Sequence, residues 1–178
     1  MLNIETKKER EKMTQYEKVE HVFAPVFNEN SKILILGTFP SVKSRENQFF
    51  YGHPRNRFWK VLSLITGEVK PETIEDKKEL LLKHGIALWD VIHSCEIIGS
   101  RDSSIKDVVP ADLSLILKQT DMKQIYGNGG KAFQLYYKYS YPSTKREMIQ
   151  LPSTSPANAA YSLEQLLGEW IQIKDYLE

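Results

Sequence analysis

Four short runs rich in aliphatic and β-branched residues, at 32–37, 86–92, 124–127 and 147–151, recur along this chain with helix-length segments between them. The first of them, KILILG, is apolar at nearly every position rather than at alternate ones. A strand with that pattern is buried on both faces, which happens when helices cover both sides of a sheet. Strands that alternate with helices pair in parallel. The expected fold is α/β: a three-layer α/β/α sandwich around a central, mainly parallel four-stranded sheet.

The intervening segments carry helical signals. At 57–66, Phe58, Val61, Leu62 and Ile65 recur at helical spacing and Gly67 stops the run. Further helices are expected at 71–84, opened by Pro71 and closed by Gly85, at 110–120, and at 129–139 behind a glycine-rich entry. A closing helix at 160–176 places Leu163, Leu166, Leu167, Trp170 and Ile173 on one face. Residues 1–20 alternate basic and acidic side chains with few large apolar groups, and read as a solvated helix or frayed extension. The remainder, 21–178, reads as a single domain, since the length suits one core.

Several classes of function are disfavoured. One cysteine, Cys95, among 178 residues excludes an internal disulfide framework or a cysteine-rich metal site within the chain. The histidines (His21, His53, His84, His93) show no metal-binding spacing, so neither metal nor cofactor is expected. No apolar run approaches the ~20 residues of a membrane span. The N-terminus lacks the apolar core of a secretory signal, so a cytoplasmic monomer is expected. A net charge of +1 is uninformative in sum, but between 41 and 60 five basic residues face the single acid Glu46.

In a parallel α/β sheet, ligands bind beyond the carboxyl ends of the strands. The loops after Leu36, Trp89, Tyr126 and Leu151 should therefore share one rim. The first holds Gly37-Thr38-Phe39-Pro40-Ser41 and then Phe50-Tyr51-Gly52-His53-Pro54-Arg55-Asn56-Arg57-Phe58-Trp59. Aromatic, amide and basic side chains in one irregular segment suit a flat polar ring beside a charged backbone, which points to a nucleobase in a nucleic acid. The loop after Tyr126 fails as a phosphate loop, because Ile125 and Tyr126 stand where glycine is required and Ala132 lacks the hydroxyl.

These motifs resemble those of the uracil-DNA glycosylase superfamily, over roughly residue 22 to the C-terminus. The mismatch-specific branch has a Gly-x-Asn-Pro-Gly turn and then His-Pro-x-Asn-Arg-Phe-Trp. Here the second motif is intact, while Phe39 replaces the catalytic Asn of the first. The pattern is most similar to the hypoxanthine-DNA glycosylase branch, which implies that the catalytic amide is Asn56. The run Leu151-Pro152-Ser153-Thr154-Ser155-Pro156-Ala157-Asn158 resembles the superfamily's minor-groove loop. Ser153 stands there in place of a catalytic His, and Ala157 in place of the intercalating Leu or Arg. Gly85-Ile86-Ala87-Leu88-Trp89-Asp90 resembles the strand whose terminal Asn reads the base edge, with Asp90 in its place.

The resemblance implies a monofunctional glycosylase that flips a deaminated base out of DNA and hydrolyses its N-glycosidic bond. Deoxyinosine is the expected substrate and no metal is needed. Tyr51 and Phe50 would stack on the base, the backbone amides of Thr38 and Phe39 would donate to its oxygen, and Asp90 would accept from its ring N–H. Asn56 would orient the water or bind the leaving base, or else cap the helix that follows it. Ser41, Arg55, Ser153, Ser155, Pro156, Ala157 and Asn158 would contact DNA. A uracil or mismatch glycosylase, and a non-catalytic nucleic-acid-binding protein of the same fold, stay open as alternatives.

Overall fold

The computed structural model describes residues 6, 7, 10 and 14–177. Much of the expected N-terminal extension thus lies outside the described residues. At its centre is a four-stranded, wholly parallel sheet built from β2 (Ile33–Gly37), β3 (Ile86–Asp90), β6 (Gln124–Asn128) and β7 (Met148–Leu151), in the order β3-β2-β6-β7. All four expected strands are present, and each ends on the same rim.

Central strand β2 shows how its sequence builds two cores. Ile33 and Ile35 enter one apolar cluster, with Phe58, Leu62, Leu81 and Trp170. Leu34 and Leu36 point the other way, toward Ile116, Leu135 and Tyr136. The first cluster is covered by α2 (Phe58–Thr66), α3 (Ile74–Lys83) and α7 (Leu163–Trp170). The second is covered by α4 (Ser114–Leu117), α5 (Gly130–Leu135) and the π-helical turn Tyr136–Ser140. This is the three-layer arrangement expected from the run of apolar residues.

Helix boundaries shifted where caps outrank periodicity. Thr73 and Asp76 form a capping box, so α3 starts after Thr73 rather than at Pro71. Ser162 and Gln165 do the same for α7. The helix expected at 110–120 shrinks to the four residues of α4, because Pro110 ends a strand instead.

A second sheet was not anticipated. The run 86–92 ends its parallel pairing at Asp90, and the chain turns through Val91 into β4 (Ile92–Ile97). That strand pairs antiparallel with β1 (Glu17–Glu20) on one side and with β5 (Lys106–Pro110) on the other. Backbone bonds from Val91 N to Gly37 O (2.9 Å) and Ile92 N to Thr38 O (3.2 Å) lock the turn against the end of β2. Residues 17–20, read as part of a solvated leader, are therefore a sheet strand. Their alternating half-buried pattern comes from covering one edge of β4. His21 follows directly, its N–H bonded to His93 O at 2.7 Å, and this delivers its side chain to the rim of the central sheet.

Candidate active site

Asn56 stands two residues before α2, and its amide is fully oriented. The backbone N–H of Phe58 donates to Oδ1 at 3.0 Å, and the Thr154 hydroxyl donates to the same oxygen at 2.8 Å. Because a backbone N–H can only donate, the acceptor atom must be oxygen, and Nδ2 is the end left over. Thr154 is fixed in turn by Asn128. Its hydroxyl accepts from Asn128 Nδ2 (3.0 Å), and its N–H donates to Asn128 Oδ1 (3.0 Å). The bond from Phe58 N–H and the fixed amide coexist, and Nδ2 is the end left available to donate.

The loop after β7 is held to the same spot. Arg57 N donates to Thr154 O at 3.1 Å. The Arg57 guanidinium donates to the carbonyls of Ser155 (3.0 Å) and Asn158 (3.0 Å), and also to that of Tyr161. Inside the loop Ser153 Oγ accepts from Ser155 N, Ser155 Oγ accepts from Ala157 N, and Asn158 Nδ2 donates to Ser153 O. Trp170 Nε1 ties Pro152 O from below at 2.9 Å. Pro156 and Ala157 are exposed at the tip. A cleft of about 600 Å³ lies along this loop, lined by Gly130, Gln150, Ser153, Ala157, Asn158 and Tyr161. Neither Asn56 nor Asp90 lines it, so it is a groove beside the site rather than the site itself.

Tyr51 and Asp90 meet over Gly37. A methyl group at Gly37 would lie 2.4 Å from Asp90 Oδ1 and 2.8 Å from the Tyr51 hydroxyl, so both oxygens approach only because position 37 has no side chain. Tyr51 adopts a left-handed backbone (φ 51°) and lays its ring on Phe58, with centroids 4.0 Å apart and planes 24° apart. Its hydroxyl is buried beside the Asn128 side chain, at a geometry too poor for a full hydrogen bond. Burial, reinforced by the nearby Asp90 carboxylate, pushes the phenol far above its ordinary value, so the group stays a neutral O–H donor.

Asp90 holds a partner absent from the sequence reading. His21 Nε2–H donates to Asp90 Oδ2 at 2.7 Å, and both side chains are almost wholly enclosed. The imidazole stands among Phe23, Phe39, Phe50 and Trp89, and its Nδ1 has no hydrogen-bond partner. No spacing signal links positions 21 and 90, and only the pairing of β1 with β4 brings them together.

The other expected site residues divide between core, cap and surface. Phe50 is 2% exposed and packs edge-on against Phe23 and Phe49 in the core, so it offers no face to a base. Ser41 is the N-cap of α1 (Val42–Asn47), accepting from Ser44 N and donating to Ser44 Oγ. Thr38 and Phe39 are buried at the end of β2, and neither backbone N–H donates to a described residue. The basic cluster at 41–60 is largely committed. Lys43 pairs with Glu46, Arg45 caps Pro40 O and Gly99 O, and Arg57 braces the loop. Arg55 and Lys60 are exposed, and neither forms an ion pair among the described residues. His53 accepts from Arg55 N within its own turn, which suits a turn-forming rather than chemical role.

A family model described as the uracil DNA glycosylase superfamily matches residues 24–173. The chain belongs to the uracil DNA glycosylase superfamily. That bears out the DNA glycosylase reading of the motifs. Two curated relatives are both named hypoxanthine DNA glycosylase. One, from Methanosarcina acetivorans, is 36% identical over 85% of this chain and 96% of its own length. The other, from Methanosarcina barkeri, is 36% identical over 84% of this chain and 94% of its own. A solution NMR structure from Methanosarcina acetivorans, described as a candidate uracil DNA glycosylase, superimposes with a TM-score of 0.75 at 34% identity, covering 87% of this chain and 96% of that one. Among the described residues no helix is long and apolar enough to cross a membrane.

Proposed function

We propose that this glycosylase excises hypoxanthine from DNA containing deoxyinosine. The carrying observation is an acceptor and spare donors at the same strand end: Asp90 Oδ1 crowds the place a side chain at Gly37 would take, and the next two residues, Thr38 and Phe39, donate their N–H groups to no described residue. A lactam edge, a carbonyl next to a ring N–H, matches that pattern. Adenine and cytosine present the reverse, an amino group next to a lone pair. The names of the two archaeal relatives favour hypoxanthine over uracil, which carries the same edge.

In the reaction, a water oxygen bonds to C1′ while the C1′–N9 bond breaks. Its electron pair leaves with the purine, and a water proton finally neutralises the released base. Charge gathers on the base oxygen as the bond breaks, so donors aimed there accelerate the step. Asn56 Nδ2 and the two amides are those donors. The face of Tyr51 turned away from Phe58 takes the flipped ring, where base stacking contributes about 1–3 kcal/mol. With Oδ1 already engaged twice, Asn56 binds the leaving base rather than the water. Arg55, Ser153, Ser155, Pro156, Ala157 and Asn158 approach the DNA strand along the adjoining groove.

Oligonucleotides bearing inosine, uracil or xanthine, single- and double-stranded, are incubated with the protein and then cleaved with alkali at abasic sites. Inosine strands are expected to break fastest. No cleavage of any strand would refute the proposal, and faster release of uracil than hypoxanthine would reassign the substrate.

A further inference from the structure

We propose that His21 is a positioning residue that sets base specificity through Asp90; this rests on the lactam-edge reading above. A buried carboxylate must be paired, and here one oxygen is paired and the other is not spent in the same way. His21 Nε2–H takes Oδ2 at 2.7 Å, and Oδ1 is left over Gly37 with no hydrogen bond from a described residue. The imidazole cannot follow if Asp90 rotates. Phe23 meets it edge-on at 4.5 Å between centroids, and Phe39, Phe50 and Trp89 close the other sides at 6.0–6.3 Å. The carboxylate is therefore presented in one rotamer, with one defined oxygen toward the base.

Asparagine in this place could turn either its oxygen or its NH₂ to the base and so accept either hydrogen-bond pattern. Aspartate offers only acceptors, and His21 dictates which one faces the pocket. The pair thus selects a ring N–H and turns away a ring lone pair. Removing the imidazole N–H leaves a buried carboxylate with no fixed donor, and it swings to whichever donor is nearest.

The test uses duplexes carrying 2′-fluoro-2′-deoxyinosine or the 2′-fluoro adenosine analogue, whose glycosidic bonds resist cleavage, so that binding preference is read apart from turnover. His21→Phe keeps an aromatic ring in the box but lacks the donor, whereas His21→Gln keeps a donor. We expect His21→Phe to lose about tenfold or more of the preference for inosine over adenine, and His21→Gln to stay within about threefold of the parent. A second arm places His21→Phe on Asp90→Asn, which strands no charge. There it should change the preference by less than about twofold, since the two residues act as one. Equal preference in His21→Phe and the parent, or equal loss in His21→Phe and His21→Gln, would overturn the proposal. So would no preference in the parent itself. Excision assays on ordinary inosine strands decide the substrate separately. A parent that binds by this rule but cuts nothing removes the enzymatic reading alone.

Discussion

Asn128 and Thr154 hold each other by two hydrogen bonds of 3.0 Å, and the Thr154 hydroxyl donates in turn to Asn56 Oδ1 at 2.8 Å. Each polar atom in this relay has one possible role, so the Asn56 amide has one possible orientation. Thr154→Val keeps the shape and removes the hydroxyl, leaving Asn128 Nδ2 buried and unpaired. A loss of about 1–3 kcal/mol in urea unfolding is expected. Inosine excision should fall roughly tenfold as Asn56 loosens, while Thr154→Ser restores both. Full activity in Thr154→Val would show that Asn56 needs no such support.

Asn56 itself separates capping from chemistry. Asn56→Asp retains oxygens for Phe58 N–H and Thr154, and discards the NH₂ group. Its melting temperature should stay near that of the parent, while single-turnover excision drops on the order of 100-fold. Asn56→Ala should lose the same activity plus about 1 kcal/mol of stability, because Phe58 N–H and the Thr154 hydroxyl lose their acceptor. An active Asn56→Asp enzyme would return the residue to a purely structural role.

Arg57 is spent on the protein, not on DNA. Arg57→Lys cannot span three carbonyls, because a point charge replaces a planar fork. The expected outcome is faster proteolytic nicking between Pro152 and Tyr161 and about tenfold weaker duplex binding, with an unchanged salt slope. A shallower salt slope would instead mean that Arg57 neutralises a phosphate.

Cys95 lies in β4, 2% exposed, and burial pushes its thiol up to about 11. In the unfolded chain it ionises near the usual value of about 8.5. The folded state thus holds the proton more tightly. Its contribution to stability is complete below pH ~8.5 and is lost as pH rises from there toward about 11. Urea unfolding from pH 8 to 10.5 should show the parent losing stability faster than Cys95→Ala. At pH 8 a disulfide reagent should label Cys95 only at the rate of unfolding, and rapid labelling of native protein would contradict the burial.

What could be read from the sequence follows the range of the interactions involved. Strand β2 was legible because KILILG declares two buried faces within six residues. Asn56 was legible because its motif is contiguous, and so was Asp90 at its strand end. His21 was not, since its partner lies 69 positions away and nothing near it signals a site. Phe50 and Tyr51 adjoin, yet one is core and the other faces Asp90. The left-handed backbone at Tyr51 is what divides them, and a Tyr gives no warning of it. The basic run at 41–60 misled because charge in a sequence does not show which guanidinium will meet a carbonyl.

The pairing of β1 with β4 makes the end of the leader the support on which His21 reaches Asp90. Shortening the chain to residue 21, where composition invites a cut, would keep every motif and the whole central sheet. It would also remove the strand that ties the chain before His21 to β4, and a protein trimmed in that way should fold with a blurred choice of base.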